Sequence, residues 1–244
     1  MKWPTDALII RENNNIGEAD RFVTALTREC GVIQASVRGA RRVKNPNGSA
    51  TQLLCYSRLS LFRGRDKYIV DDAEPLEVFF GVRGQLETLS LAQYFCELAG
   101  VLCPREEPAE DGLRLLLGAL HYLSKGTRPL SLVKAVVELR LLCAAGYTPD
   151  LTVCGACGAE EVSFFSPVRG VVLCGNCPDA AAWPLSAGVL AAMRHIVYAP
   201  LEKCFAFSLS DEGLAQLAYV CERFLLAQVD RGFKTLDFYH SLEI

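Results

Sequence analysis

Apolar residues recur at two different intervals along this chain, and the change comes near residue 83. Before it they stand in short runs or at every second position, the period of a half-buried strand. Residues 5–10 predict a first strand and 13–18 a turn. Residues 22–27 and 31–37 predict a hairpin across Glu29-Cys30-Gly31, followed by a basic stretch and a polar Gly/Asn/Pro loop at 45–49. Residues 53–62 predict a fourth strand, 63–66 a turn, and 68–70 a fifth. Five short strands with a long polar loop in their midst fit a small barrel of the OB-fold kind.

Past residue 83 the period lengthens to about 3.6 residues, that of an amphipathic helix. Helices are predicted over 86–102, with Leu89, Ala92, Gln93, Cys96 and Ala99 along one face, and over 111–125 and 130–145, with Gly146 at the C-terminal capping place. Ser186 reads as the N-cap of a helix over 187–198, and Ser210 as the cap of one over 211–229. Residues 233–242 read as a short basic-to-aromatic tail. The expected architecture is a multi-domain α+β protein. An N-terminal OB-fold β-barrel occupies residues 1–80, and a mostly α-helical domain occupies 81–244, with a small metal-held hairpin inserted at 150–180.

That hairpin is read from Cys154-Gly-Ala-Cys157 and Cys174-Gly-Asn-Cys177, two Cys-x-x-Cys pairs with sixteen residues between them. Two residues between thiols let one tight turn present both sulfurs to a single ion, and two such turns complete a tetrahedral site. Short strands at 162–165 and 170–173 around Ser166-Pro-Val-Arg169 make a zinc ribbon. Four thiolates leave no open coordination position, so one structural Zn2+ is expected at Cys154, Cys157, Cys174 and Cys177. Two disulfides would need an oxidising compartment. A redox pair would need one Cys-x-x-Cys at a helix start, and a zinc deaminase would need a His-x-Glu, which the chain lacks.

The chain has 244 residues, a formal net charge of −3 and eleven cysteines. The seven outside the ribbon (Cys30, Cys55, Cys96, Cys103, Cys143, Cys204 and Cys221) sit among apolar neighbours and read as buried reduced thiols of a cytosolic protein. No signal peptide and no apolar run of membrane-spanning length is evident, so a cytoplasmic location is expected. Net charge gives no case for nucleic acid, but its distribution does. From Gln34 to Lys67 stand Arg38, Arg41, Arg42, Lys44, Arg58, Arg63, Arg65 and Lys67 against Asp66 alone, a local +7 on a chain whose remainder carries −10. Such a cluster can neutralise phosphates, with Arg38, Arg41 and Arg42 at a strand end and Lys44, Arg63 and Arg65 extending the track. Tyr56, Phe62 and Tyr68 are candidates to stack on bases, though strand aromatics are more often core. His121, His195 and His240 lie far apart in sequence, and there is no phosphate-binding Gly-rich loop ending in Lys-Ser/Thr. No enzyme is expected.

Several stretches together resemble the RecO family of bacterial recombination and repair proteins. They are Glu18-Ala-Asp-Arg-Phe-Val-Thr24, Thr27-Arg-Glu-Cys-Gly-Val-Ile33, Val37-Arg-Gly-Ala-Arg-Arg42 and Leu61-Phe-Arg-Gly-Arg65, with Ala145-Gly-Tyr-Thr-Pro149 running on to the first cysteine pair. The resemblance covers nearly the whole chain. It implies an OB-fold, a helical domain and a zinc ribbon. It also implies binding of single- and double-stranded DNA, annealing of complementary strands, and assistance to RecA loading on strands coated by single-strand-binding protein. The partners it implies are RecR and the acidic C-terminal tail of single-strand-binding protein. Lys134 and Arg140 are candidate cations for that tail, with a solvated helix face the alternative. Arg223, Arg231 and Lys234 read either as a secondary DNA contact or as charge at a helix end. A different class of reading is a protein-interaction adaptor whose nucleic-acid binding is incidental.

Overall fold

Five strands at the start of the chain close on themselves. In the computed structural model, which describes residues 2–13, 20–40, 42, 45–64, 67–177 and 179–242, they are β1 (Lys2–Asn13), β2 (Arg21–Thr27), β3 (Gly31–Val37), β4 (Cys55–Arg63) and β5 (Tyr68–Val78). The order is β1-β2-β3-β5-β4, with β4 pairing back onto β1. Neighbours are antiparallel except β3 and β5, which run parallel from Ala35↔Tyr68 to Val37↔Val70. The closed order gives each of these strands a neighbour on both sides, which protects its edges. Inside lie Ala7, Ile9, Val23, Ala25, Ile33, Ala35, Val37, Leu59, Leu61 and Val70. On β4 the alternation is plain: Cys55, Ser57, Leu59 and Leu61 are buried, and the residues between them are not.

The fifth strand extends well past the three residues that its hydrophobicity predicts. Asp71, Asp72 and Glu74 hide it from a pattern search, because the register slips by one residue where Ser60 faces Asp72 and Leu61 faces Val70. The slip is a β-bulge, and it returns Ala73 to the interior. The polar loop after β3 holds a one-turn helix, α1 (Asn47–Ala50). Asn47 plugs the bulge: its Nδ2 donates to the carbonyl of Asp71 at 3.1 Å, and its Oδ1 accepts from the amide of Ala73 at 3.1 Å. Gly48 is required beside it, since a Cβ there would stand 2.4 Å from the carbonyl of Ala40. The turn predicted at 13–18 lies, past Asn13, outside the described residues.

A 3-10 turn (Phe80–Gly84) leads to α2 (Leu86–Leu102) and α3 (Glu110–Lys125). These helices belong to the same compact unit as the barrel, which comprises Met1–Lys125 and Thr235–Ile244. Buried positions surround α2 rather than forming one stripe, because β1, α3 and the 3-10 turn all pack on it. For the same reason β1 is buried on both faces from Ala7 to Ile10. Gly31 adopts φ +57 and meets the carbonyl of Pro104 where a side chain would stand, so the α2–α3 connection closes onto the start of β3. The basic-to-aromatic tail forms a helix, α7 (Lys234–His240). Both the amide and the hydroxyl of Thr235 donate to Glu97 of α2.

The second unit, Gly126–Lys234, is built on α4 (Leu130–Ala144), with α5 (Ala187–Tyr198) and α6 (Asp211–Val229) packed against it. Its helix ends follow the local signals. The Ser186 hydroxyl accepts from the amide of Val189, the Ser210 hydroxyl accepts from Gly213, and Gly146 ends α4 at φ +95. Between α4 and α5 lies a three-stranded sheet of β6 (Phe164–Ser166), β7 (Val171–Leu173) and β8 (Trp183–Pro184), in the order β7-β6-β8. β6 and β7 are the predicted hairpin. Two residues are too few for β8 to show in a hydrophobic pattern. No helix among the described residues is long and apolar enough to cross a membrane.

Candidate metal centre and nucleic-acid interface

The sheet of the second unit carries the four thiols. Cys154 precedes a tight turn in which Gly158, at φ +77, donates to the carbonyl of Cys154 at 2.9 Å. The amide of Gly155 donates to Val172 of β7, which ties this turn to the hairpin. On the other side the amide of Cys177 returns to the carbonyl of Cys174 at 3.1 Å. The four sulfurs lie within 4.8 Å of one another, and Cys157 and Cys174 are 3.6 Å apart. A tetrahedral ion with metal–sulfur bonds near 2.3 Å holds its sulfurs about 3.8 Å apart, so the group can close on one ion by small side-chain movements.

The electrostatics favour this as well. Amides of Cys174 and Ala156 point at the Cys154 sulfur and hold its pKa down to about 6. Cys177 is pushed up to about 12 by its hydrogen bonds with the Cys174 and Cys157 sulfurs, and Cys157 is raised as well. Four such thiols cannot all ionise without a cation among them. The surroundings are small and apolar, with Leu173 buried and Ala159, Val162, Phe164 and Ala182 packed around the sulfurs. Of the other seven cysteines, five are buried and Cys30 and Cys143 half-buried, and burial pushes the Cys96 and Cys103 thiols up to about 12. They are inert filling of the core.

The basic residues of the first unit gather at the strand ends. Arg38 follows the last residue of β3, Arg63 ends β4, and Lys67 precedes β5. The pairings Arg21↔Val37, Ala35↔Tyr68 and Arg63↔Tyr68 bring these ends into one region of the barrel. Arg38 and Arg42 are exposed, and no carboxylate engages either among the described residues. Arg41, Lys44 and Arg65 lie outside the described residues. Arg63 reaches Glu106 at 3.5 Å, but both side chains are largely exposed, so this pair is weak. Arg58 is committed to Asp6 at 2.9 Å. The loop bearing Arg38 and Arg42 is braced from several directions. The Asn45 amide donates to the carbonyl of Arg38, Asp20 accepts from Gly39, and Arg21 donates to Gly48.

An aromatic to which sequence reasoning gave no role joins Lys67 in this region. Half-buried Phe22 pairs with Ser36 of β3, and the Lys67 ammonium lies over its ring at 4.1 Å. The signal was available: Val23 and Ala25 point inward, so Phe22 and Thr24 point out. Of the aromatics suggested by sequence, Tyr68 belongs to the barrel core, edge-on to Trp3, while Tyr56 and Phe62 are half-buried on β4.

Lys134 and Arg140 are occupied within the second unit. Lys134 is buried, with Glu138 at 2.9 Å and Glu222 at 2.6 Å. Arg140 donates to the carbonyls of Val197 and Ala199, both at 2.8 Å, and so closes the end of α5. Arg231 lies over the Phe233 ring and Arg223 over the Tyr219 ring.

The chain matches two family models along its length, described as Recombination protein O N terminal over residues 1–79 and Recombination protein O C terminal over residues 83–237. Among curated proteins it is 35% identical to a DNA repair protein RecO of Acetivibrio thermocellus, over 98% of this chain and 96% of that one. It is 34% identical to that of Symbiobacterium thermophilum, over 98% and 97%. Identity to that of Desulforudis audaxviator is 32%, over 100% and 98%.

Proposed function

Since the chain belongs to the RecO family of DNA repair proteins, we propose that it is a non-enzymatic mediator of repair and recombination that binds single- and double-stranded DNA and anneals complementary strands. The barrel of residues 1–80 serves as its DNA-binding domain. Its strand order, with one parallel pair closing a five-stranded Greek-key sheet, supports an OB-fold. Phosphates are taken by Arg38, Arg41, Arg42, Lys44, Arg63 and Arg65, with Lys67 added to them. The observation that carries the reading is a pair of exposed guanidiniums, Arg38 and Arg42, held on a braced loop and engaged by no carboxylate among the described residues.

Annealing follows from charge alone. Two strands repel through their phosphates, and a cationic surface that screens both while leaving base edges free lowers the barrier to pairing. The partners are RecR, the acidic tail of single-strand-binding protein and, functionally, RecA, in a cytoplasmic setting. Because Lys134 and Arg140 are engaged internally, neither is assigned to that tail. The four-thiolate set fits one structural Zn2+ held by Cys154, Cys157, Cys174 and Cys177. Its chemistry there is to tie two turns together and to neutralise thiolates.

The test is salt dependence. In the full chain, Arg38→Ala with Arg42→Ala should weaken DNA binding irrespective of base sequence. It should also flatten the slope of log affinity against log salt by up to about 1.4, at roughly 0.7 per lost single-strand phosphate contact. An unchanged slope refutes the assignment and favours the adaptor reading.

A further inference from the structure

We propose that the second unit carries a separate site that stacks the bases of single-stranded nucleic acid, formed by Trp183, Tyr219 and Arg223. This rests on the reading of the protein as a DNA binder and adds a surface that the barrel does not supply. Trp183 is 42% exposed and Tyr219 40% exposed. Their rings meet edge to face with centroids 4.8 Å apart. Arg223, one turn along α6, lays its guanidinium over the Tyr219 ring at 5.6 Å.

Three features separate this group from aromatic residues left at a surface by chance. It is rigid. Trp183 sits on β8, which pairs with Phe165 of β6, and Gln216 of α6 bolts β8 in place by accepting from the Ser186 amide and donating to the Pro184 carbonyl. Beneath it Phe165 packs on Phe224 with centroids 5.5 Å apart. Rings held this way lose little freedom when a ligand arrives. Second, its cation is uncommitted. Among the described residues Arg223 contacts no carboxylate, and its acidic neighbour Glu222 is taken by Lys134. Third, flat apolar faces beside a guanidinium suit a ligand with π faces and negative charge. An unpaired nucleotide has both, while in a duplex the faces are already stacked.

The chain holds two tryptophans, so single-tryptophan variants isolate each reporter. In full-length Trp3→Phe, titration with oligothymidylate should quench Trp183 emission, and an equally long hairpin duplex should not. Adding Tyr219→Ala or Arg223→Ala should weaken the quenching transition by about tenfold. Strand binding seen by anisotropy of a labelled oligonucleotide, with Trp183 emission unmoved, overturns this site and leaves the barrel reading intact. Equal quenching by duplex, or quenching by an acidic peptide and not by oligothymidylate, also overturns it. No binding of any strand sinks both. Should Trp3→Phe fail to fold, photocrosslinking of a bromodeoxyuridine strand to the unaltered chain decides. Adducts mapped to Trp183 or Tyr219 support the site, and adducts confined to the barrel refute it.

Discussion

At the scale of single residues, Lys134 shows how much depends on partners. Its ammonium is nearly sealed from water, and burial by itself would push the pKa down. Glu138 and Glu222 outweigh burial and hold it above the ordinary lysine value. Lys134→Ala removes the buried cation shared by two carboxylates and should cost about 3–5 kcal/mol, seen as a large fall in Tm. Because the folded pKa is raised, the lysine's contribution is fully present at neutral pH. It disappears as pH rises through that raised value, so the difference in Tm between the native protein and Lys134→Ala should narrow only under strongly alkaline conditions. Asn47 is the comparable residue in the barrel. Asn47→Ala unplugs the β5 bulge and frees the loop behind Arg38 and Arg42. DNA affinity should drop while the salt slope stays near that of the native protein, since the cations are retained but no longer pre-positioned.

Among the elements, the ribbon is the one that cannot sustain itself. β6 and β8 lean on α6 through Phe165 and Gln216, but the two cysteine turns have only Leu173, Phe164, Val162, Val171 and two alanines around their sulfurs, too little apolar surface to order them. Removal of metal by a strong chelator should release the two cysteine turns and loosen the sheet they close, read as a change in Trp183 emission while Trp3 emission stays constant. Acid should act in the same direction, because protons compete with the ion for the thiolates. A second contribution comes from Asp150, whose backbone bridges to Val171 and whose carboxylate accepts from the hydroxyl and amide of Thr152, bonds that keep its pKa below the ordinary carboxylate value. A depressed pKa stabilises above the unfolded value and the gain is lost as pH falls through the folded one, so Asp150→Ala should lose its effect only in acid.

For the molecule as a whole, the decisive quantity is where charge lies rather than how much there is. A net charge of −3 hides a segment of +7, part of which is spent on Asp6 and Glu106, so a phosphate within a Debye length of about 10 Å responds chiefly to Arg38 and Arg42. The acceleration of annealing over the protein-free rate should therefore fall steeply as salt rises, with Arg38→Ala and Arg42→Ala mimicking high salt in a fluorescence annealing assay.

Features of short sequence reach were legible without coordinates. The two cysteine pairs need only a tight turn each, and the caps at Ser186, Ser210 and Gly146 bind amides or carbonyls within a few residues. Helix spans could be read for the same reason, and so could the strand alternation that predicts a barrel. What the sequence left open involves partners far along the chain. Lys134 reads as a surface cation until Glu222, 88 residues away, is brought beside it. The end of β5 goes unread until a bulge and Asn47 restore its phase, and Trp183 carries no sequence signal until Gln216 clamps its strand to α6. Local hydrogen bonding and periodicity are written in neighbouring residues. Burial of a charge and the meeting of two aromatic rings exist only once distant segments share one place.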